Sequence, residues 1–244
     1  MPWNAILYNA GHHRENPPSD RDTARERLIG VFGIIQRMER LSLEVGSFRV
    51  NCSILSAGGK AWIVDPGADT AEISAMLSKH GLSPSAILLT HAHFDHISGV
   101  PALQAEFPGI PAYLHPGDEM MVGHPINQFP PDYPPVGKLS DLRDARALPD
   151  AGLPFEVRVI ETPGHTPGGV CYYLPGESLL LSGDTLFAGS VGRTDLPGGD
   201  AVTLARSLRI LSALPGDTVV VPGHGPETTI ETERRVNPFL EREA

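Results

Sequence analysis

Cysteine is nearly absent from this sequence. Only Cys52 and Cys171 occur, and they form no C-x-x-C pair. One conceivable bridge is a poor basis for a secreted disulfide scaffold, so both are expected as buried, reduced thiols. Long hydrophobic runs are missing too. No apolar stretch approaches the ~18 residues of a membrane span. The N-terminus lacks the charged start and apolar core of a secretory signal. Surplus positive charge is also absent, with 19 Lys and Arg against 29 Asp and Glu and a formal net charge of -10. An acidic surface argues against nucleic acid or an anionic membrane as the main partner. These absences point to a cytoplasmic enzyme acting on small molecules; they leave its oligomeric state open.

What is present is an ordinary globular mixture, 41% hydrophobic and 20% charged. Its 244 residues suffice for one large domain or at most two small ones. Residues 1–37 stand apart. "NAGHHRENPPSDRDTARER" is polar and Pro-rich without alternation or a helical stripe, and "LIGVFGIIQRM" adds a short apolar patch. Met38 could itself be a start, or the segment could be a real arm that packs on a partner. The expectation is a dispensable extension over 1–37 and one domain over 38–244.

After Met38, β-branched apolar runs alternate with helical patterns. "FRVNCSIL", "AWIVD", "AILLT", "FEVRVI", "GVCYYL", "SLLLSGD" and "DTVVVPG" read as strands. "TAEISAMLSKHG" places Ile73, Met76 and Leu77 on one helical face and ends in Gly81. "DAVTLARSLRILSALPG" does the same with Ala201, Leu204, Leu208 and Leu211. The order strand–Asp–helix–strand–His occurs twice, which suggests a duplicated α/β layout. Residues 116–153, rich in Pro, Gly and Asp, read as a long irregular excursion of the kind that often carries function.

The stretch "ILLTHAHFDHISG" packs His91, His93, Asp95 and His96 into six positions at the end of an apolar strand. Side chains on a strand alternate, so His91 and His93 face one way. Four such residues cannot all be bland core, because each would need its own buried partner. A metal site is the better reading. His165 in "TPGHTPGG", Asp184 in "LLLSGDTLF" and His224 in "VVVPGHG" recur after apolar strands beside Gly. Five His and two Asp are enough for two metals. Imidazole and carboxylate donors suit Zn, Fe or Mn, with Zn the expected ion.

These motifs, with Asp65 in "IVDPG", closely resemble the metallo-β-lactamase superfamily. The resemblance covers nearly everything from residue 50 to 225. It implies an α/β fold, an αββα sandwich with a site at one rim. It also implies a first ion on His91, His93 and His165 and a second on Asp95, His96 and His224. Asp184 would bridge the two, and Asp65 would orient a ligand from behind. Two ions a few Å apart imply hydrolysis by a shared hydroxide, with Asp95 and Asp184 as the carboxylates at the reacting centre.

The better-known β-lactamases of this superfamily commonly carry a cysteine where Asp184 stands, which disfavours antibiotic hydrolysis as the native activity. "DTLFAGSVGRTDLPGGD" and "RRVNPFL" resemble the shorter bacterial members of the glyoxalase II group. That likeness implies a thioester substrate such as S-D-lactoylglutathione. Residues 225–244 are too few for the C-terminal helical domain of longer members, so their glutathione contacts do not carry over. Arg193 resembles a substrate-contacting position, and could equally pair with Asp195 or Asp200. "GRTD" also occurs in persulfide dioxygenases, which hold one iron on the same fold and are the main alternative. Lactonase, β-lactamase and non-catalytic metal binding are more remote.

Overall fold

The computed structural model describes residues 37–125, 127–150 and 155–240. The expectation about residues 1–37 therefore lies outside the described residues, Arg37 apart. Two sheets make the frame. The first has six strands in the order β1 (Glu39–Val45), β2 (Val50–Ala57), β3 (Lys60–Val64), β4 (Ser83–Leu88), β5 (Ala112–Leu114) and β6 (Leu142–Asp144). The main strands of the second are β7 (Arg158–Glu161), β8 (Val170–Leu174), β9 (Leu179–Gly183) and β12 (Val219–Pro222). The short β13 (Thr228–Thr229) lies at its edge, giving the order β13-β12-β9-β8-β7. A small hairpin, β10 (Leu186–Phe187) with β11 (Ser190–Val191), sits beside it.

Alternation along the strands sorts the core into three layers. Trp62 and Val64 of β3, with Ala86 and Leu88 of β4, meet Tyr172, Leu181 and Val221 of the second sheet in a central cluster. The intervening Ala61, Ile63 and Ile87 face outward onto Ile73 and Leu77 of α1 (Thr70–Lys79). Val100 and Leu103 of α3 (Val100–Glu106) join the same cluster. On the far side, Tyr173, Leu180 and Val220 pack under α4 (Ala201–Ser212) and Ile230 of α5 (Ile230–Val236). Helix, sheet, sheet and helix thus stack in order. This is the αββα sandwich that the resemblance implied.

The repeated order in the sequence has a structural counterpart. β3 and β4 are parallel neighbours with α1 between them in sequence. β9 and β12 are parallel neighbours with α4 between them. Parallel pairing requires such a crossover. On α4, Leu204, Leu208 and Leu211 are buried as expected, but Ala201 is exposed. The Asp200 carboxylate accepts from Thr203 N–H there, so Ala201 is the first helical residue and lies ahead of the packed face. The described residues within 116–150 are mostly irregular, carrying two 3₁₀ helices and β6. Among the described residues no helix is long and apolar enough to cross a membrane.

Candidate metal centre

Four strand ends deliver the polar residues to one rim. Asp65 follows β3, and the run from His91 follows β4. Asp184 follows β9, and His224 follows β12. His93 forms the N-cap of a single helical turn, α2 (Phe94–Ile97), which carries Asp95 and His96. His165 sits in the turn between β7 and β8, so the seven predicted ligands come from four loops at one end of the sandwich. Glycine lets these loops close in. A Cβ on Gly223 would stand 2.1 Å from Asp184 Oδ1 and 2.7 Å from His96 Cε1.

The structure brings all seven together. Three groups have donor atoms within 4.8 Å of one another: His91–His93–His165, Asp95–His96–His224 and His91–His96–Asp184. The first two are the expected trios. The third contains one member of each, which places Asp184 between them. Its Oδ2 lies 3.6 Å from both His165 Nε2 and His224 Nε2, and its Oδ1 lies 3.4 Å from His96 Nε2. His165 Nε2 and His93 Nδ1 are 2.9 Å apart, and His224 Nε2 is 3.3 Å from Asp95 Oδ2.

The outer nitrogens of four imidazoles are committed to partners that leave Nε2 pointing inward. His165 Nδ1 donates to the Arg193 carbonyl at 2.7 Å, and His224 Nδ1 to the Phe48 carbonyl at 2.9 Å. His96 Nδ1 meets Asp65 Oδ2 at 3.0 Å, and His91 Nδ1 meets Thr90 Oγ1 at 3.0 Å. The Thr90 hydroxyl in turn donates to Asp65 Oδ2 at 2.7 Å, and Thr90 N–H donates to Asp65 Oδ1 at 2.8 Å. Asp65 therefore sets the tautomer of His96 directly and that of His91 through Thr90.

Charge follows the same geometry. Burial, then the neighbouring imidazoles, hold His91 well below the ordinary histidine range. Burial and His165 bring His93 down to about 4. Burial alone would raise Asp184 and Asp95, but the surrounding histidines outweigh it, so both carboxyls are held below their usual range. Burial alone would lower His96 and His224. Asp184, Asp65 and Asp95 outweigh it for His96, and Asp95 and Asp184 do so for His224. The centre offers lone pairs and anionic oxygens that suit a cation.

An unpaired buried polar atom costs about 1–3 kcal/mol. Two occur at this centre, His91 Nε2 and Asp184 Oδ1. Cations held by these donor groups would satisfy both, so the donor set fits two divalent ions with imidazole and carboxylate ligands.

Several working residues carried no readable signal. Thr90 passes for the last residue of a strand. Asp118, in "HPGDEM", reads as a turn former, yet it is fully buried and accepts from Ala92 N–H, Thr166 Oγ1–H and Gly168 N–H. Asn127, from the Pro-rich loop, donates to the Ala92 carbonyl and accepts from Phe94 N–H. Arg193 contributes its carbonyl to His165, while its exposed guanidinium grips Asp195 through two hydrogen bonds of 2.7 Å.

The metallo-beta-lactamase superfamily model matches residues 45–224. The chain is 38% identical over 211 residues to the "Probable metallo-hydrolase YqgX" of Bacillus subtilis (strain 168), covering 81% of this chain and 95% of that protein. It is 33% identical over 214 residues to "Hydroxyacylglutathione hydrolase GloC" of Haemophilus influenzae, covering 81% and 96%. Among solved structures, BLEG-1 B3 metallo-beta-lactamase is 39% identical with a TM-score of 0.76, over 83% of this chain and 99% of that one. TTHA1623, solved in a di-iron-bound form, is 38% identical with a TM-score of 0.72, over 82% and 100%.

Proposed function

The chain belongs to the metallo-β-lactamase superfamily, and from that premise we propose that it is a two-metal hydrolase of thioesters. S-D-lactoylglutathione, or a similar 2-hydroxyacyl thioester, is the substrate class. The observation that carries the two-metal reading is Asp184, whose carboxylate lies within 3.6 Å of donor atoms from both trios. Zn is the expected ion, and the same donors accept Fe or Mn. Bound divalent ions supply hydroxide at neutral pH and positive charge for the carbonyl oxygen.

The protein's own groups favour a good leaving group. Four of the five imidazoles have both nitrogens committed, outward to a partner and inward to the ion sites. The fifth, His93, is held at about 4 and carries no spare proton at neutral pH. Asp95 and Asp184 are ionised and committed to the ion sites, so neither acts as a free acid. A thiolate of pKa about 8.5 leaves without such help, whereas an amine does not. A pocket of about 490 Å³ beside His224, lined by Phe48, Arg49 and Pro226, gives a thioester room to approach. Arg193 remains the proposed contact for a substrate carboxylate. Its present pair with Asp195 is exposed and screened by solvent, so exchanging that partner for a substrate carboxylate costs little.

Likeness to GloC supports the thioester reading. Likeness to BLEG-1 favours β-lactam hydrolysis as a second, minor activity. One preparation tests the set, with thiol release from S-D-lactoylglutathione, oxygen uptake with glutathione persulfide, and hydrolysis of a chromogenic cephalosporin. Thiol release is expected to dominate. Vigorous oxygen uptake with negligible thiol release would establish the dioxygenase instead, and a dominant cephalosporin rate would establish a lactamase.

A further inference from the structure

Two residues outside the ligand set flank different halves of the centre. Asp118 is fully buried. It accepts from Ala92 N–H at 3.0 Å, between His91 and His93, and from Thr166 Oγ1–H at 2.8 Å and Gly168 N–H at 2.6 Å, just past His165. The turns touch backbone to backbone, since a Cβ on Gly168 would stand 2.6 Å from Asp118 N. Asn51, at the start of β2, serves the other half. Its Nδ2 donates to the Pro222 carbonyl at 3.0 Å and the Gly225 carbonyl at 2.8 Å, and its N–H donates to the Gly223 carbonyl at 2.8 Å. These three carbonyls bracket His224. Among the described residues, no hydrogen bond of Asp118 runs to the Asp95–His96–His224 half, and none of Asn51 runs to the His91–His93–His165 half.

We propose that Asp118 and Asn51 are positioning residues that anchor the two ion sites separately, Asp118 the His91–His93–His165 site and Asn51 the Asp95–His96–His224 site. The inference rests on the two-ion reading and not on the substrate. The physical basis is that ligand geometry must be held to about 0.5 Å. Losing an outer partner of a metal ligand costs about 10–100-fold in metal affinity. Asp118→Asn keeps the shape but turns an NH₂ against at least one of the three donors. Asn51→Ala removes both side-chain bonds on the His224 turn and leaves the ligands untouched.

The test uses full-length, zinc-loaded protein equilibrated against a graded series of a competing chelator, with zinc per chain read by elemental analysis. Asp118→Asn should release one ion at about 10–100-fold lower chelator and keep the other. Asn51→Ala should do the same for the opposite ion. Paired variants identify the site. With His165→Ala in the background, Asp118→Asn should change nothing further; with His224→Ala, it should weaken the remaining ion. Asn51→Ala should show the reverse. Thr166→Val removes one donor to Asp118, should act in the same direction, and covers a D118N protein that fails to fold. Equal loss of both ions in either single variant, or loss of neither, overturns the proposal. A wild-type chain that holds a single ion overturns the two-ion reading and the proposal with it.

Discussion

His96 and His224 lie among carboxylates, whereas His91 and His93 lie chiefly among other imidazoles, and the two kinds respond oppositely to acid. The carboxylates raise His96 and His224 above their ordinary value, while burial and like neighbours depress His91 and His93. Proton and cation compete for the same nitrogen. At His96 and His224 that competition begins above the ordinary histidine value of about 6.5. At His93 it begins only near about 4. Lowering the pH from about 8 to about 5 should therefore release the Asp95–His96–His224 ion first. Elemental analysis after equilibration at each pH checks the order, and simultaneous loss would contradict it. A second residue-scale prediction concerns space. Gly223→Ala drives a methyl into Asp184 Oδ1 and His96. It should abolish binding of the second ion, and with it nearly all activity, while the far-UV spectrum stays native.

Helix α4 carries a prediction about stability. Leu208 is 3% exposed and packs with Leu180 and Val220 in the cluster on the outer face of the second sheet. Leu208→Ala should cost about 2–5 kcal/mol in denaturant unfolding, with the folded protein still binding its full metal complement. This helix was legible because Leu204, Leu208 and Leu211 repeat at helical spacing over about two turns. The strands were legible because Trp62, Val64 and their outward neighbours alternate. The elements in 116–153 were not, since three-residue β6 and six-residue 3₁₀ helices are too short to show a period. The ligands were legible because five His and two Asp cluster after strands. Asp118, Asn51 and Asn127 were not, because what each does depends on chain segments distant in sequence. The Arg193 side chain took the alternative partner, Asp195, which the two-residue spacing allowed.

At the scale of the molecule, two parallel β–α–β units face each other across the central cluster and send their strand ends to one rim. Among the described residues, the three core clusters are drawn from Met38 onward, and β1 pairs Glu39 with Ser56 at its outer end. β1 is an edge strand whose Arg40, Ser42 and Glu44 keep that edge polar. Arg40 also reaches across to Glu227. A chain of residues 38–244 should therefore fold, bind two ions and melt within about 4 °C of the full chain, the shift that roughly 1 kcal/mol produces at this size. A chain starting at residue 46 should behave quite differently. It lacks β1 and bares β2, in which seven of eight residues are buried. That edge is apolar and unpaired, so aggregation is the expected result. Thermal melts and metal content of the two truncations check both halves of the prediction. An aggregated or metal-free 38–244 protein would show that residues 1–37 belong to the fold.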